Sequence, residues 1–186
     1  MNIKTKELTA CTMFSALIIV GAFIKIDIPL PLYTMHFTLQ WLFVIMAALL
    51  LGEKLGTLSV VVYLILGLAG IPVFAAGGGI AYVLRPGFGF LLGFVLAAFL
   101  IGIIMKKSKK QNLASMILAS TVGMIAYYSV GAIYFYLIKN FYAGDRVSFG
   151  VIVVSYCLIT ILPDFILCVL ASVLCKRIKP IITRIF

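Results

Sequence analysis

Acidic residues are scarce in this chain: five Asp and Glu accompany fifteen Lys and Arg among 186 residues, and His36 is the single histidine. Each shortage excludes a chemistry. One histidine and four cysteines without ligand spacing do not build a metal centre, so no metal site is expected. The phosphate loop GxxxxGK[ST] is missing, which rules out ATP hydrolysis by that route, and HExxH and GxSxG are missing as well. His36 has no serine or cysteine nucleophile placed to serve it. With no catalytic residue and no cofactor expected, the chain reads as a binding protein and not an enzyme. Charge of either sign is also rare, at 11% of residues against about 25% in soluble domains.

What fills the chain is hydrocarbon: 65% of residues are hydrophobic and the mean hydropathy is +1.26. A soluble core of this length cannot bury so much apolar surface, so the lipid bilayer is the expected solvent and the cell membrane the expected location. Six apolar segments can be drawn, roughly 8–24, 32–51, 56–70, 87–105, 113–138 and 148–175. They predict an all-α bundle of six transmembrane helices forming one domain over residues 1–186. Cys11, Cys157, Cys168 and Cys175 fall inside these runs and read as buried thiols. The net charge of +10 does not indicate nucleic acid, because the cations sit in short loops between spans. With the N-terminus in the cytoplasm, eleven cations lie inside (Lys4, Lys6, Lys54, Lys106, Lys107, Lys109, Lys110, Lys176, Arg177, Lys179 and Arg184). Lys25, Arg85, Lys139 and Arg146 lie outside. That bias predicts cytoplasmic termini.

The stretch GIPVFAAGGGIAYVLRPGFGF, residues 70–90, interrupts this pattern with six glycines, two prolines and one arginine. It predicts an irregular outer loop between the third and fourth helices, of the kind tolerated where it lines a wet cavity or is buried by protein. Gly78 and Gly79 permit close approach there, and Arg85 is suited to bidentate capture of a carboxylate, with snorkelling to headgroups as the alternative. Asp164 is the one acid inside a span, about 24 Å of helix from Ser148. A carboxylate at that depth must be hydrated, paired or liganded. It reads as a ligand group, with a structural bond to a tyrosine hydroxyl as the alternative. Pro163 should kink its helix. Gln40 needs a partner within the second span. Gly123, Tyr127, Gly131 and Tyr134 share one helical face, either a ligand cradle or an internal seam. Gly89, Gly93 and Ala97, with Ala98 and Gly102, make small-residue stripes for close helix packing. Trp41 and Phe74 read first as packing anchors.

Gly67-Leu-Ala-Gly-Ile-Pro-Val-Phe-Ala-Ala-Gly-Gly-Gly79 followed by Tyr82-Val-Leu-Arg-Pro-Gly-Phe-Gly-Phe-Leu-Leu-Gly-Phe94 closely resembles the biotin-specific substrate-capture subunits of energy-coupling-factor transporters, the BioY family. Phe37-Thr-Leu-Gln40, Leu51-Gly-Glu-Lys-Leu-Gly56 and Pro163-Asp164 support the likeness over nearly the whole chain. The resemblance implies a biotin pocket open to the outside, with the glycine-rich stretch as loop and lid. It implies as partners a transmembrane coupling subunit (EcfT type) and two cytoplasmic ATPases. Asp164, Arg85, Gln40, Tyr82, Gly78, Gly79, Phe74 and Tyr134 are the expected ligand residues. Cys11, Thr12, Ser15 and Ala16 on the first helix are the expected docking positions. Two departures stand out. Leu167 replaces a lysine common in the family, and Arg85-Pro-Gly-Phe-Gly-Phe90 replaces its Gly-Pro-Thr-Gly-Gly-Tyr. Another small carboxylated amphipath, such as dethiobiotin or lipoate, and a proton-coupled carrier using Asp164 are the alternatives.

Overall fold

Apolar runs of helical length form helices here because lipid offers the backbone no hydrogen-bond partner. The computed structural model describes residues 5–30, 33–108 and 110–185, the stretch 181–185 by its backbone alone. Lys4 and Lys109, and the side chain of Arg184, all part of the charge count, lie outside the described residues. The elements run α1 (Thr5–Phe23), β1 (Lys25–Ile28), β2 (Met35–Thr38), α2 (Gln40–Leu68), a 3-10 turn (Ile80–Leu84), α3 (Phe88–Lys107) and α4 (Leu113–Leu137). A π turn (Ile138–Tyr142), α5 (Phe149–Ile152), a second π segment (Val153–Leu158) and α6 (Ile159–Ile185) complete them. Among the described residues, five helical stretches are long and apolar enough to cross a membrane.

The second of these is not one straight rod. Gly52 interrupts α2 with φ 79° and ψ −173°, a left-handed backbone that favours glycine. A Cβ on Gly56 would lie 2.8 Å from the carbonyl oxygen of Ala47, although nine residues of continuous helix span about 13 Å. Likewise, the Gln40 amide donates to the Tyr63 hydroxyl at 2.7 Å, across what would be about 34 Å of straight helix. The chain therefore folds back at Gly52 into two antiparallel limbs, 40–51 and 53–68. These correspond to the predicted segments 32–51 and 56–70, with one correction: helix begins at Gln40, because Met35–Thr38 pairs antiparallel with Lys25–Ile28. The alternation Lys-Ile-Asp-Ile and the prolines that follow it, Pro29 and Pro31, favour a hairpin over helix.

Helix α3 packs between α2 and α4, while α6 closes against both α2 and α4. Small residues set these distances. A Cβ on Gly93 would meet the backbone of Tyr127 at 2.7 Å, and one on Gly102 would meet that of Glu53 at 2.3 Å. The α3 stripes thus serve packing within the chain. At α4, Asn112 caps the helix by accepting from the Ser115 N–H at 2.9 Å. Leu118, Ile125, Ile133, Leu162 and Ile166 turn outward and are more than half exposed, as expected for side chains that meet acyl chains.

A tyrosine-lined cavity as the candidate functional site

The β1–β2 hairpin and the glycine-rich stretch cover one end of the bundle, and the cavity lies beneath them. Its walls include Tyr33 from the link between β1 and β2, His36 and Thr38 from β2, Gln40 and Trp41 from α2, and Phe90 and Phe94 from α3. Tyr127 and Tyr128 from α4 and Tyr156, Thr160 and Asp164 from the last helix complete the ring. The hairpin is fastened on two sides. Lys25 Nζ donates to the Ala75 carbonyl at 2.8 Å, and the Tyr156 hydroxyl donates to the Tyr33 carbonyl at 3.2 Å. Across its strands Asp27 Oδ1 meets His36 Nδ1 at 2.6 Å, with Lys25 Nζ 3.2 Å from the other oxygen. The His36 bond, aided by Lys25, holds the Asp27 carboxyl below the usual carboxylate range.

Asp164 forms the floor. It is 4% exposed and its Oδ2 accepts from the hydroxyls of both Tyr127 and Tyr128, the latter at 2.5 Å. Tyr128 also shares a 2.9 Å bond with Thr160. The widened π segment at Val153–Leu158 lies one to two turns before Pro163, which has no N–H to give the helix ladder. It carries Tyr156 into the wall and leads directly to Thr160. Gln40, 1% exposed, accepts from Thr38 and donates to Tyr63. Aromatic rings make up most of the remaining surface: Trp41 stacks on Phe94, with centroids 5.7 Å apart, and tilts against Tyr127 at 4.6 Å. The Trp41 N–H is buried without a hydrogen bond among the described residues, with the Cys168 thiol beside it.

The expected ligand residues divide into two groups. Asp164, Gln40 and Tyr82 line the cavity together; burial pushes the Tyr82 phenol up to about 12. Phe74, Gly78, Gly79, Tyr134 and Arg85 stand outside its wall. Phe74 packs behind Tyr82 and against Tyr63. Gly79 has φ 96° and donates to the Gly67 carbonyl at 2.7 Å, while a Cβ on Gly78 would strike the Ile71 carbonyl at 2.3 Å. Tyr134 donates to the Val83 carbonyl, which holds the 3-10 turn. Arg85 is exposed, donates to the Ala76 carbonyl at 3.0 Å and lies over the Tyr82 ring. Sequence reading passed over Tyr33, Tyr128, Tyr156 and Thr160 and treated Trp41 as packing. The signal was there: Tyr156, Thr160 and Asp164 recur every four residues along one helix. On α1, Cys11 and Ser15 are buried against Ser59, with Ser15 donating to its carbonyl at 2.8 Å; Thr12 and Ala16 face outward.

A lipid-embedded helical bundle with an aromatic cavity capped by a hairpin defines a membrane protein of the small-molecule binding class. The BioY family model matches residues 1–184, and the chain belongs to that family. It is 40% identical to the probable biotin transporter BioY of Lysinibacillus sphaericus, over 94% of this chain and 87% of that protein. With the biotin transporter BioY of Thermotoga maritima it shares 37% identity, over 94% and 96%. A crystal structure of the S-component for biotin from an ECF-type ABC transporter superimposes with a TM-score of 0.82 at 30% identity, covering 96% of this chain and 95% of that one. The chain is a multi-pass membrane protein.

Proposed function

We propose that this protein is the biotin-capturing S component of an energy-coupling-factor uptake system, and that biotin binds in the tyrosine-lined cavity from the extracellular side. The observation that carries this reading is a buried carboxylate, Asp164, at the floor of an aromatic cavity in a chain of the BioY family. Biotin offers a ureido ring with two N–H donors, a thioether ring suited to aromatic walls, and a valerate carboxylate. The ureido ring would sit on Asp164 and the bicyclic body between Trp41, Phe94 and Tyr127. The carboxylate would point to the mouth, where Arg85 stands one layer behind Tyr33 and Tyr82 and would turn from the Ala76 carbonyl to meet it.

The fold-back at Gly52 supports six membrane crossings, four by long helices or helix pairs and two by the limbs of α2. Even crossing number and the cation count support cytoplasmic termini. The partners in this reading are a coupling subunit of EcfT type and two cytoplasmic ATPases, with Thr12 and Ala16 on the outward face of α1 as contact positions. Titration of the purified protein with biotin, dethiobiotin and lipoate tests the binding step, which needs neither ATP nor partner. Biotin binding no tighter than lipoate overturns it. Uptake in a biotin-auxotrophic host tests the coupling: dependence on the ATPases is expected, whereas uptake that persists without them and collapses with a protonophore would assign a proton-coupled carrier.

A further inference from the structure

The two phenols on Asp164 converge on the same oxygen. Tyr127 and Tyr128 each carry one hydroxyl hydrogen, and both donate to Oδ2. Tyr128 is held from its other side by Thr160, whose hydroxyl also lies 3.3 and 3.4 Å from the carbonyls of Tyr156 and Cys157. All four side chains are at most 8% exposed, so water does not compete for these bonds. The bonds tie α4 to α6 and fix the rotation of the carboxylate. Oδ1 has no hydrogen-bond partner among the described residues. It is not sealed away either, because the Trp41 N–H is the sole fully buried and unpaired side-chain nitrogen or oxygen among them. Oδ1 therefore faces the cavity whose wall Asp164 forms.

We propose that Tyr127 and Tyr128 are positioning residues that saturate one oxygen of Asp164, so that the site reads a single ligand N–H through Oδ1 and thereby distinguishes the two nitrogens of a cyclic urea. This rests on the reading of the cavity as a biotin site. A carboxylate free to present both oxygens accepts from either nitrogen of a ureido ring by a small rotation. A clamped carboxylate offers one lone-pair direction, so the nitrogen in register must carry its hydrogen while the other need not. Neither phenol competes as a donor to the ligand, since each hydrogen is already committed to Oδ2. The floor of the cavity is thus an acceptor surface, and the ligand's own acceptor, its ureido oxygen, must find donors elsewhere on the wall.

The test compares two biotin analogues, each methylated on one ureido nitrogen, in the full-length protein by isothermal titration calorimetry. One isomer should bind about tenfold more weakly than the other, the loss of one charge-assisted hydrogen bond. In the Tyr127→Phe/Tyr128→Phe double variant the ring packing is kept, and the ratio between isomers should fall to about threefold or less at that scale. Thermal unfolding and a monodisperse elution profile establish that the variant is folded. A purely structural role for the tyrosines would weaken both isomers equally and leave their ratio unchanged, which would overturn the proposal. So would equal binding of the two isomers by the unmodified protein. Failure of that protein to bind biotin itself, titrated alongside the analogues, sinks the functional reading, and that biotin titration tells the two failures apart.

Discussion

Replacing Asp164 with asparagine changes one atom, and the structure dictates which contact suffers. Two phenol hydroxyls need an acceptor at the Oδ2 position. The asparagine carbonyl is the only part of the new side chain able to accept them, so it takes that place. The amide nitrogen is then forced to the Oδ1 position, where it presents hydrogens to the cavity instead of lone pairs. A ligand N–H that met a carboxylate now meets another donor. The loss comprises a hydrogen bond to a charged group, worth about 1.5–3 kcal/mol, or about ten- to a hundredfold in affinity. Turning the amide around instead orphans the phenols, and an unsatisfied buried donor costs about 1–3 kcal/mol, which would appear as lost stability. The assay is calorimetric titration of Asp164→Asn with biotin, alongside its unfolding temperature in the same detergent. Weakened binding with a nearly unchanged unfolding temperature is expected. Binding within twofold of the unmodified protein, in a folded sample, refutes the reasoning and leaves Asp164 a purely structural acceptor for Tyr127 and Tyr128.

Arg85→Ala should weaken biotin by about tenfold but biotin amide by less than about threefold, because the amide has no charge to lose; equal losses, measured by the same titration, would confine Arg85 to tying the loop through the Ala76 carbonyl. Gly102→Ala should lower the unfolding temperature, since its Cβ meets the Glu53 backbone and overpacking costs about 1–3 kcal/mol. Gly123→Ala should cost less, because the clash there is with the end of the Ile101 side chain, which can move. Asp27→Asn should speed biotin dissociation by no more than about two- to threefold, because an exposed, solvent-screened ion pair contributes little. Because the folded Asp27 carboxyl is held below its ordinary value, its pairing is complete above about pH 4 and fades as pH falls through that lower value. Stopped-flow dissociation should therefore show the difference from the unmodified protein at pH 6 and its disappearance in strong acid.

The spans were legible because hydropathy and helix length are set by the solvent, and lipid constrains both harder than water does. Their ends were not. The helix at Gln40 starts eight residues later than the apolar run, because a strand pair as hydrophobic as Ile26, Ile28, Met35 and Phe37 looks like continuing span to any hydropathy count. The fold-back at Gly52 was legible as the break between the second and third segments, where Lys54 was placed in a short loop, although the third segment looked short for a span. Asp164 stood out because burying a carboxylate in lipid demands an explanation, and Gln40 stood out for the same reason at lower cost. Tyrosine makes no such demand: its ring is content in lipid, so Tyr128 and Tyr156 drew no attention beside Asp164, and Tyr127 stood out only as part of a helical face that served equally as an internal seam.

Glycine misdirects in the opposite sense. The stretch from Gly70 to Phe90 departs most from helical composition and invites placement of the ligand against it, yet of its residues Ala75, Tyr82, Gly87 and Phe90 line the cavity and Gly77, Gly78 and Gly79 do not. The glycines are where backbone meets backbone: Gly79 bonds to Gly67, and Gly78 lies under the Ile71 carbonyl. A positive φ or a missing Cβ records a steric demand by the chain upon itself. A small amphipathic ligand makes a different demand, for flat apolar area with a few fixed polar atoms, which rigid helices bearing Trp41, Phe94, Tyr127 and Asp164 supply better than a loop can. The irregular stretch accordingly frames the mouth and anchors the hairpin through Lys25 and Ala75, while in the proposed site recognition would fall to helical side chains whose spacing, four residues apart on the last helix, looks ordinary in the sequence.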